Sequence, residues 1–441
     1  MPFPNIEDVI EGIVEQVFLD RQRLDGVYDY ESLPKNFVQL ALVSRNFLNP
    51  VRRNLYGHLK VEGPETFLIL TGQLRFSPHL AKYVKSAQLN SSCTELKHID
   101  GYEAGTPGDG EPRVVSRTAF RWFLEACPQL KNLDIRGGDF IWPLYMQNPA
   151  TIKLTDISLN GCSFCHPSSP NSCTAVLGST PGRRGGWLKS IVAFPYLKEL
   201  EISELPLPDG PRDPTLEIPA GSSACTGLTI CNINQPTSPR VLSTLLRSMS
   251  SLKELVLDGL RSIPLRELKK CLSIVAPSLT LLTLTDYDSQ PGNPEPWDNT
   301  AVAALHQLKT LSFNNIPVTF PFFDALPPRL EHLRFGGVTL SFLLAPDLEK
   351  WLRRKRFPLR GILKKLQIVG ELHSDVKNKA SDAQVATTAS LCEKLGIEWV
   401  YEPNPYGVRE DEAYDGSSLF GPESDSDDDT HAFNHAVVGA F

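Results

Sequence analysis

The chain has 441 residues, of which 41% are apolar, 22% charged and 9% aromatic. This is a globular composition with the length of two or three domains or of one long repeat array; collagen, wholesale disorder and a small disulfide scaffold are excluded. The formal charge of −7 is concentrated in residues 410–441, which hold nine acids and no Lys or Arg, so the nearly neutral remainder offers no general field for nucleic acid. No apolar run reaches the roughly 18 residues of a membrane span, and acids interrupt the apolar pattern at the N-terminus where a signal peptide needs an unbroken stretch. The chain therefore reads as cytoplasmic or nuclear. Its nine cysteines are expected as buried free thiols in a reducing compartment.

Taken in order, the first sixty residues are helical in pattern. Ile6, Val9, Ile10, Ile13, Val14, Val17 and Phe18 recur at helical spacing. A second apolar helix comes around Phe37–Phe47, and a third segment spans Pro50–Leu59. So small a piece has a marginal core of its own and should pack on the adjoining part of the chain or on a partner. The block Leu40, Leu42, Val43, Ser44, Arg45, Phe47, with Leu55 and Tyr56 after it, resembles the second half of an F-box; Pro4, Ile10 and Ile13 match its first half. Phe3 before the proline, Phe47 where Trp is usual and a long connection between the first two helices are departures. A plain helical cap on the next segment is the other reading.

From residue 84 onward one pattern recurs. Apolar residues at i, i+3, i+5 appear at Leu130/Leu133/Ile135, Leu154/Ile157/Leu159, Leu197/Leu200/Ile202, Cys225/Leu228/Ile230, Leu252/Leu255/Leu257, Leu279/Leu282/Leu284, Leu308/Leu311/Phe313, Leu330/Leu333/Phe335 and Leu363/Leu366/Ile368. A weaker copy lies at Val84/Ala87/Leu89. Most anchors are 22–33 residues apart, and helical spacing fills the gaps at TAFRWFLEAC, PRVLSTLLRSM, PLRELKKCLSIV and APDLEKWLRRK. Each unit is a short strand and a helix that cannot cover its own apolar face, so neighbours must stack. A helix over Asp382–Lys394, closed by Gly396 and continued by a strand at Ile397–Tyr401, predicts a capping unit.

This array resembles the irregular, long-repeat kind of leucine-rich-repeat protein. The resemblance implies an α/β fold, a leucine-rich-repeat solenoid with parallel strands on the concave face and helices outside, preceded by a small all-α F-box-like helical domain. The expected divisions are 1–62, 63–404 and a disordered acidic tail, 405–441. The family places Asn or Cys eight residues after each anchor; only Cys162 matches, so no asparagine ladder is expected.

Chemical motifs are sparse. Cys162, Cys165 and His166 fit a haem-attachment string and, with Cys173, a zinc ligand set; ordinary loop composition is the other reading. The glycines of 178–186 lack a phosphate-loop Lys, and no nucleophile motif occurs. No metal, cofactor or catalysis is expected. Seven bases between Arg353 and Lys365 read as the solvated face of a repeat helix, or as an import signal. Ser424 and Ser426 each precede an acid by three places and are candidates for phosphorylation. Loops at 165–186, 203–221 and 287–299 should collect on the edge where strands end.

Together, the two resemblances imply a substrate-recognition subunit of a Skp-cullin-F-box type ubiquitin ligase. Pro4, Ile10, Ile13, Leu40, Leu42, Val43, Phe47 and Leu55 would dock the Skp-type adaptor and, through it, a cullin. The alternative is a leucine-rich-repeat scaffold or inhibitor with no ligase link. Strand alternation turns i+2, i+4 and i+6 to the concave face. Asp134, Asp156, Glu199, Glu201, Glu254 and Asp258, opposed by Arg136 alone, make the first half acidic; they read as a surface for a Lys/Arg-rich protein target or, equally, as solvated charges that keep an exposed sheet soluble. The end of the array is weakly basic, with His332, Arg334 and Lys365.

Overall fold

One five-residue strand comes after each apolar anchor in a computed structural model of the chain. The described residues are 45–90, 117–136, 144, 151–161, 186–203, 218–231, 238–259, 263, 265–285, 300–314, 316, 320–336, 345–354, 359–370 and 380–403. In chain order the elements are α1 (Arg45–Gly57), β1 (His58–Glu62), α2 (Gly63–Phe76), α3 (Pro78–Ala81), β2 (Ser86–Asn90), α4 (Arg117–Ala126), β3 (Asn132–Arg136), β4 (Asp156–Asn160), α5 (Gly186–Val192), β5 (Glu199–Ser203) and β6 (Gly227–Cys231). Next come α6 (Pro239–Ser248), β7 (Glu254–Asp258), α7 (Leu265–Val275), β8 (Leu281–Thr285), α8 (Thr300–Ala303), β9 (Thr310–Asn314), a 3-10 helix (Phe320–Ala325), β10 (His332–Gly336), α9 (Ala345–Leu352), β11 (Lys365–Val369), α10 (Asp382–Leu395) and β12 (Glu398–Glu402).

The twelve strands form one sheet in strict sequence order, every neighbouring pair parallel and in register. A parallel sheet that never leaves sequence order is a solenoid, because each crossover returns the chain to the next position on the same side. This is the leucine-rich-repeat architecture. All residues of the nine triplets and of the weaker copy at Val84/Ala87/Leu89 are buried in a single core. Burying each Leu or Ile contributes about 1.5–3 kcal/mol relative to leaving it in water, and neighbouring repeats share that gain through contact. The residue after each anchor links the repeats: the N–H of Lys131 donates to the carbonyl of Lys85 at 2.8 Å, and Lys198 and Lys253 repeat the bond to Thr155 and Thr226 at 2.7 and 2.8 Å.

The helices form where the spacing places them, with Leu242, Leu245 and Leu246 of α6 and Leu268 and Leu272 of α7 buried. The step from Leu308 to Leu330 is too short for a full helix. A 3-10 turn replaces it there, and aromatic mass makes up the volume: Phe322 lies 5.2 Å from Phe313 and 6.3 Å from Phe335, and Phe323 4.7 Å from Trp351, centroid to centroid. At the C-terminal end α10 carries a capping box: the Ser381 N–H donates to Gln384 Oε1 at 2.9 Å and the Gln384 N–H donates to Ser381 Oγ at 3.4 Å. Gly396, at φ 72°, ends this helix in the left-handed conformation that glycine adopts without strain.

At the N-terminal end the sheet begins earlier than the sequence implies. Within 1–62, expected as helical, His58–Glu62 is β1, and Tyr56, Leu59 and Val61 pack on the core as a further copy of the triplet. Of the residues ascribed to adaptor docking, Phe47 and Leu55 lie on α1, Leu55 half-buried; Pro4, Ile10, Ile13, Leu40, Leu42 and Val43 lie outside the described residues. The acidic tail, the Cys162–Cys173 set and most of the three long loops also lie outside them. The five described cysteines are free, and burial pushes the thiols of Cys127, Cys225 and Cys392 up to about 12. Among the described residues no helix is long and apolar enough to cross a membrane.

Candidate functional site on the open sheet face

Register turns the strands into three rows across the face opposite the core. The first row runs Asn132, Asp156, Glu199, Gly227, Glu254 over β3–β7, and the second runs Asp134, Ser158, Glu201, Thr229, Val256. These residues line a shallow groove of about 230 Å³. Neighbouring strands are about 4.8 Å apart, so the carboxylates of Asp156, Glu199 and Glu254 share one patch. The electrostatics agree with their proximity: partial burial, then the charges of Asp156 and Glu254, push the Glu199 carboxyl above its ordinary range, against the pull of Lys198.

Five of the six acids expected on this face thus line one groove. Asp134 is the most engaged, accepting from Gln88 Nε2 at 2.9 Å and pairing with Arg136 at 3.1 Å. Its other oxygen, Oδ1, is shielded from solvent and has no hydrogen-bond partner among the described residues. Asp156 accepts from the Thr155 hydroxyl at 2.7 Å and Glu201 from Ser203 at 3.4 Å. Asp258 stands apart: it lies in the third row, half-buried at the strand end, outside the groove lining. There its charge, after burial, helps push the neighbouring Cys231 thiol up to about 12.

The third row differs from an exposed face in general. Ser203, Thr285, Gly336 and Val369 at this position are buried; Asn314 Nδ2 donates along it to Thr285 Oγ1 at 3.2 Å, and Arg334 Nη1, from the second row, donates to Asn314 Oδ1 at 3.3 Å. A side chain at Gly336 would collide with Asn314 Oδ1.

Toward the C-terminus several of the described bases form ion pairs. Lys309, at 3.3 Å, and Lys364 both pair with Glu331, and Lys365 pairs with Glu398 at 3.0 Å. The two lysines hold the Glu331 carboxyl below its ordinary range. Arg353 pairs with Glu349 at 3.6 Å, and Arg354 with Asp324. Arg353 thus stands exposed and pairs within the last turn of α9, as a solvated helix face would, while Arg354 reaches across to the preceding repeat.

Two features of the groove lie beyond the sequence expectations. Lys131, Lys198 and Lys253 each come directly after an anchor leucine and stand exposed along one rim; the recurrent Leu-Lys pair is the available signal. Gly227 interrupts the first row between Glu199 and Glu254.

No family model matches the chain, and no curated protein matches it. Among solved structures, the yeast complex of Rad7 and Elc1 is similar at 14% identity over 84% of this chain and 94% of that one, with a TM-score of 0.33. TLR13 in complex with ssRNA13 is similar at 14% identity over 68% of this chain and 38% of that one, with a TM-score of 0.37. At these TM-scores neither likeness carries function to this chain, and the fold assignment rests on the sheet itself.

Proposed function

We propose that the protein is a non-catalytic target receptor: the open face of its repeat sheet holds a protein partner, and its N-terminal segment docks a Skp-type adaptor of a cullin-based ubiquitin ligase. The observation that carries the first half is the in-register sheet face, twelve strands long, with an open groove on β3–β7. Strands fixed by ladder bonds and a continuous core present side chains with little ordering cost on binding. The second half is supported by the F-box-like residues Leu40, Leu42, Val43, Ser44, Arg45 and Phe47, which stand directly before the array. In this reading the protein breaks no bond itself; it brings the target close to the ligase.

Co-expression with a Skp-type adaptor and recovery on the tagged chain tests the ligase half. The adaptor should co-purify with the wild type and be lost on replacing Leu40, Leu42 and Val43 together by Asp, while circular dichroism shows the array intact. Absence of the adaptor from the wild-type eluate would leave a leucine-rich-repeat scaffold with no ligase link.

A further inference from the structure

Gly227 is an anomaly in the sheet. Glycine inside a strand weakens it and has no side chain to pack, and where it occurs it often marks a place where another chain or a ligand comes close. The other glycine within a described strand, Gly336, has an internal reason, since a side chain there would strike Asn314. Gly227 has none. A Cβ at Gly227 would meet nothing nearer than Glu199 Cγ at 3.4 Å, an ordinary contact, and Gly227 is not among the positive-φ glycines. The fold would accept a side chain at this point, yet the sequence leaves a notch.

The surroundings of that notch define what fits it. Glu199 and Glu254 flank it on β5 and β7, about 10 Å apart across the intervening strand, with Asp156 one strand beyond and the Thr229 side chain next along β6. Among the described residues none of Asp156, Glu199, Glu201 or Glu254 has a cationic partner within ion-pair distance, whereas Glu331, Glu349, Asp324 and Glu398 all do. These four carboxylates stand together without a counter-charge, while Asp134 beside them pairs with Arg136.

We infer that Gly227 is the seat of a Lys or Arg side chain from an extended segment of the protein target, lying across β4–β7 with its cationic head between Glu199 and Glu254. This inference rests on the receptor reading and specifies its partner. The aliphatic stem of the guest lies over Gly227 and the neighbouring backbone, and the head meets carboxylates whose mutual repulsion it relieves. The lysine rim limits the match to one line of positive charge, because a second line would meet Lys131, Lys198 and Lys253.

The test uses the full chain and a fluorescein-labelled decapeptide of alternating Lys and Thr, monitored by anisotropy. The wild type should bind it, more weakly as NaCl rises from about 50 to about 200 mM, and should ignore the peptide of alternating Glu and Thr. Glu199→Gln with Glu254→Gln should weaken binding about tenfold or more. Gly227→Val keeps every carboxylate and fills the notch; it should weaken binding comparably, with a urea midpoint no lower than that of the wild type as proof of folding. Wild-type binding by Gly227→Val would overturn the seat, and absence of binding by the unaltered protein would overturn the inference altogether. The Leu40, Leu42 and Val43 triple variant should bind the peptide normally, so failure here and failure of adaptor docking are separable.

Discussion

Replacing Phe322 by Ala probes whether aromatic packing substitutes for the missing helix in the shortest repeat. Phe322 is fully buried, with ring centroids at 5.2 Å from Phe313, 5.8 Å from Phe323 and 6.3 Å from Phe335. A Phe→Ala change in a core costs about 3–5 kcal/mol, from lost transfer energy and the cavity left behind. Three edge-on ring partners, each worth about 0.5–1.5 kcal/mol beyond area, place this site in the upper part of that range, near 4–5 kcal/mol. Because each repeat contacts only its neighbours, the loss should be local. Urea unfolding monitored by circular dichroism, with hydrogen exchange to locate the effect, should show β9–β11 opening first while β3–β7 keep their protection. Phe322→Leu, which refills most of the volume, should recover more than half of the loss. A loss of about 0.5 kcal/mol or less, the range of surface substitutions, would refute the packing argument.

Ser381→Ala removes the oxygen that caps α10 and should lower the urea stability of the terminal unit by about 0.5–2 kcal/mol, read as faster exchange in Asp382–Leu395. Glu199 and Glu331 should respond to pH with opposite signs. The raised carboxyl of Glu199 contributes stability that is fully present below the ordinary carboxylate value of about 4.3 and lost as pH rises through the raised one. Glu199→Gln should therefore stabilise the protein near pH 7 and match it near pH 4. The lowered carboxyl of Glu331 contributes stability present above its ordinary value and lost as pH falls through the lowered one; Glu331→Gln should weaken the protein near pH 7, with the difference vanishing in acid. Urea midpoints across pH 3–7 check both.

Much of the array is legible in the sequence because its signal is local. An anchor, then apolar residues three and five places on, specifies strand, register and inward face together, and alternation then assigns Asp156, Glu199 and Glu254 to the open side. The copy at Tyr56, Leu59 and Val61 is hidden because Leu55 and Tyr56 also fit the ending of an F-box, so one short string serves two patterns. Asp258 looks exposed in sequence because alternation gives the face of a residue and not what covers it. The pairing of Glu331 with Lys309 and Lys364 joins residues 22 and 33 positions apart, a relation that exists only once register is fixed. The same holds for Gly227, whose meaning depends on which carboxylates stand on the strands beside it.

The proposed adaptor docking and target capture would use two separate surfaces of the chain, and quantitative mass spectrometry of partners recovered from native cells tests both at once. Tagged wild type, the Leu40/Leu42/Val43→Asp triple variant and the Glu199→Gln, Glu254→Gln double variant would be compared at equal yield. The triple variant should lose the adaptor and cullin and keep the remaining partners. The double variant should keep the adaptor and cullin and lose a partner that carries an exposed Lys/Arg-rich segment. Loss of both sets in either variant, or of neither in both, would contradict this division of labour.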